Sequence, residues 1–438
     1  MQGDKKYLIA VIGAGPAGLF GARELATMGA HVVIFNRDIK AGGLAEYGIY
    51  PDKHTMKEGL RKQFRQIIDS ADIDYYGNLT IGTHGDLTLD ELRTLGFDAV
   101  LVTAGAQGTK SLGLPGEELK GVYHAKDVVF FYNNLPPFSQ KDFRFGKRCA
   151  IIGAGNVMVD VARHLLNVQK VDKVISVVRR GPAEVNFTKE EMKHLISYLD
   201  LNEFENEMAR ALPALAAIHQ DPQLGRQKIL DSLAKADPKT EHGKFQFDFL
   251  ASPSAMYGEN GVMTKLEVEE NILIEKEGRV SSKGTGVKRI IDVDTVIFAI
   301  GDKVDESFGL PTEWNEFVKN KEPHFPIDGL SFESTVEGVF VGGWSRKASE
   351  GLVGIARKDG TSAAKAVWGY LQTKQPANAS LEVVAAKIKG LNKPIVTKED
   401  IKRLEAVEAE EARKRGLEEF KFASNAEMLQ AMGLTATA

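Results

Sequence analysis

The sequence has very little cysteine. Cys149 is the only cysteine among 438 residues, so neither a disulfide framework nor an active-site dithiol can form within this chain. A cysteine-ligated iron–sulfur cluster needs several thiolates and is also excluded. We expect no metal site, and we predict that Cys149, which opens an apolar stretch, is an inert buried thiol.

Long apolar runs and an excess of charge of one sign are also missing. No apolar run approaches the roughly 18 residues that span a bilayer, so we expect no membrane span. The 56 basic and 60 acidic side chains give a net charge of −4, which does not favour a nucleic-acid or membrane-surface partner. The first residues lead into a strand without a signal-peptide pattern. These features predict a cytoplasmic protein, and the length favours two domains.

Glycine, by contrast, is concentrated at a turn near the N-terminus. Gly13, Gly15 and Gly18 form G-x-G-x-x-G between an apolar strand and a helix predicted at 17–28. The glycines permit a tight turn, the approach of a pyrophosphate, and close packing of the helix on the sheet. The acid expected after the next strand is replaced by Asn36, which can bond a ribose hydroxyl without charge assistance.

The same unit recurs 140 residues later, at Gly153 and Gly155. The strand that follows ends in Arg179 and Arg180, where a site for an unmodified ribose would carry an acid. Two guanidinium groups there favour a ribose 2′-phosphate, so NADP is preferred to NAD, which stays possible; the alternative is an ordinary basic pair on the surface. The repeat predicts an α/β fold with two Rossmann-like domains.

Three further regions complete the pattern. Buried strands are predicted at 97–103, 290–301 and 338–343. A capping-box spacing at Thr188 and Glu191 opens a helical excursion that we expect to run to about residue 236. The last 65 or so residues are rich in Lys and Glu and contain a predicted helix at 398–416.

The chain resembles the adrenodoxin-reductase-like ferredoxin–NADP reductases, which are related to the glutamate synthase small subunit and more distantly to the disulfide oxidoreductases. Five segments carry the resemblance: 42–52, 153–163, 179–182, 342–354 followed by Asp359, and the tail from about Glu405 to Gly433. Trp344 stands where more distant flavoproteins carry an Asp. The resemblance implies an FAD domain formed by residues 1–107 and 330–438, which includes a C-terminal arm. An NAD(P) domain, residues 108–329, is inserted into it.

The resemblance also implies the residues of both sites. The expected FAD contacts are Gly13, Gly15, Pro16, Ala17, Gly18, Asn36, Gly43, Leu44, Ala104, Gly343, Trp344, Gly351, Leu352 and Val353. The expected NAD(P) contacts are Gly153, Gly155, Asn156, Val157, Arg179, Arg180 and Gly351. Positioning or weak relay roles fall to Trp344, Gly351 and Asp160, because hydride transfer requires no nucleophile from the protein.

The chain departs from the family pattern at several positions. Met158 replaces a small residue, and Lys53, followed by His54, stands where relatives usually carry a histidine. Residues 346–350 lack the family's usual Gly-Pro-Thr. The expected function is electron transfer between NAD(P)H and a one-electron protein acceptor, with a ferredoxin as the leading candidate. Alternatives are the NAD(P)H-linked subunit of an iron–sulfur complex such as a 2-oxoacid oxidoreductase, a flavin oxidase or hydroxylase, and a non-catalytic binding module.

Overall fold

A computed structural model describes residues 6–377 and 380–434. Its longer strands and helices alternate along much of the chain. The strands, in chain order, are β1 (Leu8–Ile12), β2 (His31–Phe35), β3 (Ile73–Tyr76), β4 (Ala99–Val102), β5 (Gly108–Thr109), β6 (Val122–His124), β7 (Arg148–Ile152), β8 (Lys173–Val178), β9 (Lys244–Phe249), β10 (Ala251–Glu259), β11 (Val262–Lys276), β12 (Arg279–Ile291), β13 (Thr295–Phe298), β14 (Asp302–Lys303), β15 (Thr312–Glu313), β16 (Glu316–Phe317) and β17 (Val339–Val341).

The helices are equally well defined. In chain order they are α1 (Pro16–Thr27), α2 (Leu44–Tyr47), α3 (His54–Ile68), α4 (Leu89–Thr94), α5 (Ala125–Tyr132), α6 (Asn156–Asn167), α7 (Lys189–Met192), α8 (Leu201–Ala217), α9 (Pro222–Leu230), α10 (Val353–Leu371), α11 (Leu381–Lys389), α12 (Lys398–Arg415) and α13 (Asn425–Met432).

The chain forms two compact units. Unit 1 comprises residues 1–109, 130–140 and 301–438, and unit 2 comprises 110–129 and 141–300. These ranges differ from the expected domain ranges at 130–140 and 301–329. Both segments belong to unit 1 because their aromatic side chains are part of its core: Phe130 packs with Tyr47, while Phe308 and Phe317 lie in the apolar cluster beneath the sheet.

Unit 1 is built on a parallel five-stranded sheet in the order β17-β4-β1-β2-β3. Alternate residues of β1 enter two separate cores: Ile9 and Val11 pack on one face, and Leu8, Ala10 and Ile12 pack on the other. Burial on both faces is typical of parallel sheets covered by helices. The predicted α/β fold with two Rossmann-like units, one inserted into the other, is confirmed.

Unit 2 repeats the arrangement. Its parallel sheet has the order β6-β13-β7-β8-β9, with β7 at the centre. An antiparallel sheet, β10-β11-β12, adds a long ribbon. Side chains from both sheets, including Ile152, Leu266 and Phe298, share one core. The strand order places the glycine turn after β7 at the middle of the carboxyl edge, where α/β sheets bind ligands.

The helical excursion in unit 2 is less continuous than its sequence suggests. Thr188 caps α7 by accepting a hydrogen bond from the N–H of Glu191, but α7 already ends at Met192. Leu199 instead forms a β-bridge with Phe245, and the N–H of Asp200 donates to the carbonyl of Phe245 at 3.0 Å. The extended pairing at 199–200 interrupts the helical run, which resumes in α8.

The charged C-terminal segment folds onto unit 1. The predicted helix is present as α12, with a capping box formed by Thr397 and Asp400 and a left-handed Gly416 at its end. Ile401 and Leu404 join the core beside β3. Among the described residues, no helix combines the length and apolar character needed to cross a bilayer.

Cys149 offers a direct chemical test of this fold. Its side chain is completely buried, and burial raises the pKa of the thiol to about 12. Because the thiolate is the reactive form, we expect no reaction with Ellman's reagent between pH 7 and 8 in the native protein. One equivalent should react after unfolding. Rapid labelling of the folded protein would contradict the placement of β7 in the core.

Candidate dinucleotide-binding sites

The first glycine turn lies where β1 meets α1. Gly13 has φ +104°, and a Cβ atom there would lie 2.5 Å from the carbonyl oxygen of Thr103. A Cβ on Gly18 would lie 1.9 Å from the carbonyl oxygen of Gly13. The Thr103 hydroxyl donates to that same oxygen at 2.9 Å. Both glycines are therefore required by the protein's own packing, and Thr103, at the end of β4, is a brace that the sequence analysis missed.

Gly15 differs from its two neighbours. Its backbone is extended, with φ −75° and ψ 179°, and a Cβ atom would have no described protein atom within 4 Å. Nothing in the described structure therefore requires glycine at this position. Open space above the N-terminus of α1 is what the approach of a pyrophosphate would need.

Asn36 supports the first glycine turn through hydrogen bonds. Its side-chain oxygen accepts a hydrogen bond from the N–H of Ala14 at 2.9 Å, and its Nδ2 donates to the carbonyls of Asp38 and Lys40 at 2.8 and 3.1 Å. The side chain is buried beside Tyr75, the pKa of which is raised by burial. These bonds make Asn36 a support of the glycine turn; contact with a ribose hydroxyl stays a prediction.

A second glycine pair lies against the first turn. The N–H of Gly42 donates to the carbonyl of Ala14 at 2.7 Å. Gly43 has φ +51°, and a Cβ atom there would lie 3.1 Å from the Cα of Gly15. The predicted residue Gly43 thus lies beside Gly15, and the predicted residue Leu44 follows it as the first residue of α2.

The ends of β4 and β17 complete the same edge of the sheet. Gly105, next to the predicted residue Ala104, donates its N–H to the hydroxyl of Ser345 at 3.0 Å. The N–H of Gly343 donates to Asp359 of α10 at 2.6 Å. A Cβ on Gly343 would lie 2.6 Å from the Cβ of Ala17, so this turn touches the start of α1.

The segment between β17 and α10 is held at both ends. Arg346 forms a two-pronged ion pair with Asp359, with Nε 2.9 Å from Oδ1. The indole N–H of Trp344 donates to the carbonyl of Glu350 at 2.9 Å. Gly351 has φ +77°, and the chain then enters α10 at Leu352 and Val353. The side chain of Leu352 is 68% exposed.

The glycine turn of unit 2 has the same geometry. Gly153 has φ +131°, and a Cβ there would lie 2.5 Å from the carbonyl oxygen of Ala299. Gly155 is extended, and a Cβ atom on it would have no described protein atom within 4 Å. The side-chain oxygen of Asn156 accepts a hydrogen bond from the N–H of Thr188 at 2.8 Å. Asn156 therefore holds the segment that follows the predicted 2′-phosphate residues beside the start of α6.

Arg179 and Arg180 follow β8 at the same edge. Their backbone carbonyls are fixed by Asn271, which donates to Arg179 at 2.9 Å, and by Leu250, which donates to Arg180 at 3.1 Å. Neither guanidinium forms an ion pair with any residue that the structure describes. The pair is therefore anchored by its backbone, and its charge is not neutralised within the described chain.

The helices that begin at these sites lack the side-chain caps found on most other helices. Ser, Thr or Asp side chains cap α4, α7, α8, α9, α11, α12 and α13. By contrast α1, α6 and α10 begin after Gly15, Gly155 and Leu352, without a side-chain cap and without an acidic residue in the first turn of the described helix. Their free N–H groups suit an anionic ligand; α2 and α3 also begin without a side-chain cap.

The remaining predicted residues lie on the same helices. Pro16 is the first residue of α1 and Ala17 the second, and Ala17 is buried against Gly360 of α10. Val157, at the start of α6, is 46% exposed. Asp160 lies one turn further along the same helix.

Comparison with known proteins agrees with this geometry. Residues 7–199 match the model of the pyridine nucleotide-disulphide oxidoreductase family. The chain is 27% identical over 380 residues to the NADPH-ferredoxin reductase FprA of Mycobacterium leprae, covering 80% of this chain and 81% of that protein. The structure of Mycobacterium tuberculosis FprA in complex with NADPH superposes with a TM-score of 0.82 at 25% identity, over 98% of this chain and 100% of the other.

The chain is an oxidoreductase similar to these NADPH-dependent reductases, and its match to the family model lies within residues 7–199. The mitochondrial NADPH:adrenodoxin oxidoreductase of Arabidopsis thaliana is a further relative, 28% identical over 384 residues, which cover 79% of this chain and 78% of that protein. The resemblance stated from the motifs of the sequence is thus confirmed. In the oxidoreductase, the two glycine turns occupy corresponding edges of two separate sheets.

The glycines of the two turns provide a matched test. We expect Gly15→Ala and Gly155→Ala to leave the apoprotein as stable as the parent, or up to about 1 kcal/mol more stable, because both backbones suit alanine. Gly15→Ala should weaken binding of FAD at least tenfold, and Gly155→Ala should do the same for NADPH. Calorimetric titration and thermal unfolding of the apoprotein measure the two properties separately.

Gly18→Ala is the control for this pair. Its added methyl group meets backbone 1.9 Å away, so stability itself should fall, by about 1–3 kcal/mol or more. Equal losses of stability in Gly15→Ala and Gly18→Ala would show that Gly15 is a packing residue and not an opening for a ligand.

Proposed function

We propose that this oxidoreductase transfers electrons from NADPH, through an FAD held by unit 1, to a small one-electron carrier protein of the ferredoxin type. NADPH would bind to unit 2. The proposal includes a cytoplasmic location, in keeping with the composition of the chain, and a test of location by cell fractionation is straightforward.

One observation carries the proposal: each unit has a strand–turn–helix in which the middle glycine faces open space at an uncapped helix. A Cβ atom on Gly15 or Gly155 would have no described protein atom within 4 Å, whereas a Cβ on Gly13, Gly18 or Gly153 would lie less than 3 Å from backbone atoms. This pattern fits two dinucleotides with their pyrophosphates over the N-termini of α1 and α6. The unneutralised Arg179 and Arg180 fit a 2′-phosphate and support NADPH for the second site.

The residues of the chain would bind the cofactor and orient it. FAD, when bound, would accept a hydride and pass on electrons one at a time. Gly43 and Leu44 would flank its pyrophosphate, Ala104 and Gly343 would line the adjoining edge, and the free N–H groups at the start of α10 would face anionic or polar atoms of the cofactor. Trp344 donates to the carbonyl of Glu350 and would thereby hold the backbone next to Gly351 in its conformation.

The relatives support the choice of electron acceptor. Those named above are, by name, NADPH-dependent reductases of ferredoxin or adrenodoxin. The alternative, a subunit of an iron–sulfur complex, drew on the charged tail as an arm that docks on other subunits. That support weakens because α12 and α13 pack on unit 1, where Leu404, Met428 and Met432 are buried in its core.

Stopped-flow spectroscopy tests the function directly. In purified protein loaded with FAD, the flavin absorbance should fall faster with NADPH than with NADH. Reoxidation of the flavin should be fast with a ferredoxin and slow with dissolved oxygen. Fast reoxidation by oxygen alone would favour an oxidase or hydroxylase. A protein that refuses FAD altogether would refute the proposal, and co-purification of cluster-bearing subunits would favour the complex.

Arg179→Ala and Arg180→Ala test the nucleotide assignment. Each variant loses charge-assisted hydrogen bonds to the 2′-phosphate, worth about 1.5–3 kcal/mol, which corresponds to roughly 10- to 150-fold in affinity. We expect KM for NADPH to rise by this factor while KM for NADH is nearly unchanged. Arg279→Ala, at the tip of the β11–β12 ribbon, is the matched control and should alter neither value. Unchanged discrimination in both variants would remove the basis for NADP.

A further inference from the structure

A buried carboxylate lies directly behind the second glycine pair. Glu46 is in α2 and only 3% exposed. Arg61 of α3 donates to both of its carboxylate oxygens at 2.7 Å. Lys40 lies 3.5 Å and Lys421 3.0 Å from Oε1. Three cations thus surround one carboxylate in the interior of unit 1, and they hold the pKa of Glu46 well below its usual value against the opposing effect of burial.

The position of Glu46 follows from the turn beside Gly15. The N–H of Glu46 donates to the carbonyl of Gly43, and that of Ala45 donates to the carbonyl of Gly42, both at 3.0 Å. A Cβ on Gly42 would lie 2.9 Å from the Cβ of Glu46. Backbone hydrogen bonds and close packing therefore join Glu46 to the Gly42–Gly43 turn, which lies beside Gly15.

Lys421 brings the C-terminal end of the chain to this point. Its ammonium group donates to the backbone carbonyl of Glu46 at 2.8 Å as well as pairing with the carboxylate. It also lies 4.8 Å from the centre of the Tyr47 ring. The side chain is 7% exposed, and burial lowers the pKa of its amine to about 8, partly offset by Glu46. Lys421 therefore binds both the carboxylate and the backbone carbonyl of Glu46 in α2.

Further ion pairs connect the C-terminal arm, the segment from about Glu405 to Gly433, to the residues around Glu46. Glu419 accepts from Lys57 at 2.8 Å and from Arg61, and its pKa is about 2, where the nearby cations outweigh the effect of burial. Glu408 of α12 accepts from Lys40 at 2.5 Å. Lys40 and Arg61 each join an acid of the arm to Glu46. The network thus links the arm to α2 through several routes that converge on one carboxylate.

We propose that Glu46 and Lys421 are positioning residues of the FAD site: the C-terminal arm, through Lys421, holds α2 so that the Gly42–Gly43 turn is set against Gly15 for the pyrophosphate. This inference rests on the proposed function, since it concerns the same cofactor. It assigns Lys421 to the support of the flavin site, although this residue lies far from the glycine turns in the sequence.

The test compares four variants of Glu46 and Lys421 with the parent. Glu46→Gln and Lys421→Met should each raise the dissociation constant for FAD at least tenfold, measured by recovery of flavin fluorescence. The double variant should be no weaker than the weaker of the single variants, because both changes break one link. Lys421→Arg should recover part of the affinity. The unfolding temperature of each apoprotein shows whether affinity falls without a matching loss of fold.

Glu405→Gln is the control. Glu405 of α12 pairs with Arg65 of α3 at 2.8 Å, so this change removes an ion pair between the arm and unit 1 without touching Glu46. It should leave FAD affinity within twofold of the parent. Equal loss in Glu405→Gln and Lys421→Met would mean that attachment of the arm in general matters, and would overturn the specific role of Lys421.

Hydrogen–deuterium exchange of the unmodified protein gives a measurement that does not depend on the variants folding. Addition of FAD should slow exchange in residues 417–423 together with 42–48. No change at 417–423, or additive losses of affinity in the double variant, would overturn the proposal. A parent protein that binds no FAD would instead overturn the proposed function, so the two failures are distinguishable.

Discussion

The close approach of α1 to its surroundings is the constraint on which unit 1 depends. A Cβ at Gly18 would lie 1.9 Å from the carbonyl oxygen of Gly13, and a Cβ at Gly360 would lie 2.0 Å from that of Ala17. Only glycine fits at either position, so α1 sits directly on the turn after β1, with α10 directly on α1. Helix α1 follows β1 and helix α10 follows β17, and both begin without a side-chain cap, which leaves free N–H groups that suit an anionic ligand.

The glycines of one motif therefore serve two purposes that the sequence cannot separate. Gly13 and Gly18 are required by distances within the protein, whereas a Cβ atom on Gly15 would meet no described protein atom within 4 Å. All three appear as the same letter in G-x-G-x-x-G, and the division emerges only when a Cβ is placed on the folded backbone. A residue that the protein's own packing does not require, repeated at Gly155 in a second sheet, is strong structural support for ligands at both turns.

Periodicity and motifs were sufficient for the architecture. Helices α1 and α12 lie within a residue of their predicted bounds, because periodicity, glycine turns and caps are local signals. Non-local bonds explain what was missed. The side-chain amide of Asn36, which is predicted at a ribose, also bonds Ala14, a partner 22 residues away that no local pattern indicates. The helix expected to continue beyond Met192 stops early because Leu199 pairs with Phe245.

The ion pairs behind α2 show the same limit most clearly. A Lys- and Glu-rich tail is typical of a solvated surface, and Glu408 and Lys421 have no local feature that marks them as buried. Burial of such charges is costly unless each finds a partner, and here every buried acid of the group meets a cation from another segment. Apolar side chains could fill the same volume in many alternative arrangements of these segments. Ion pairs with fixed partners are compatible with few such arrangements. A network of this kind specifies where α2 lies, and a turn that must present backbone to a pyrophosphate needs that specificity more than it needs added stability.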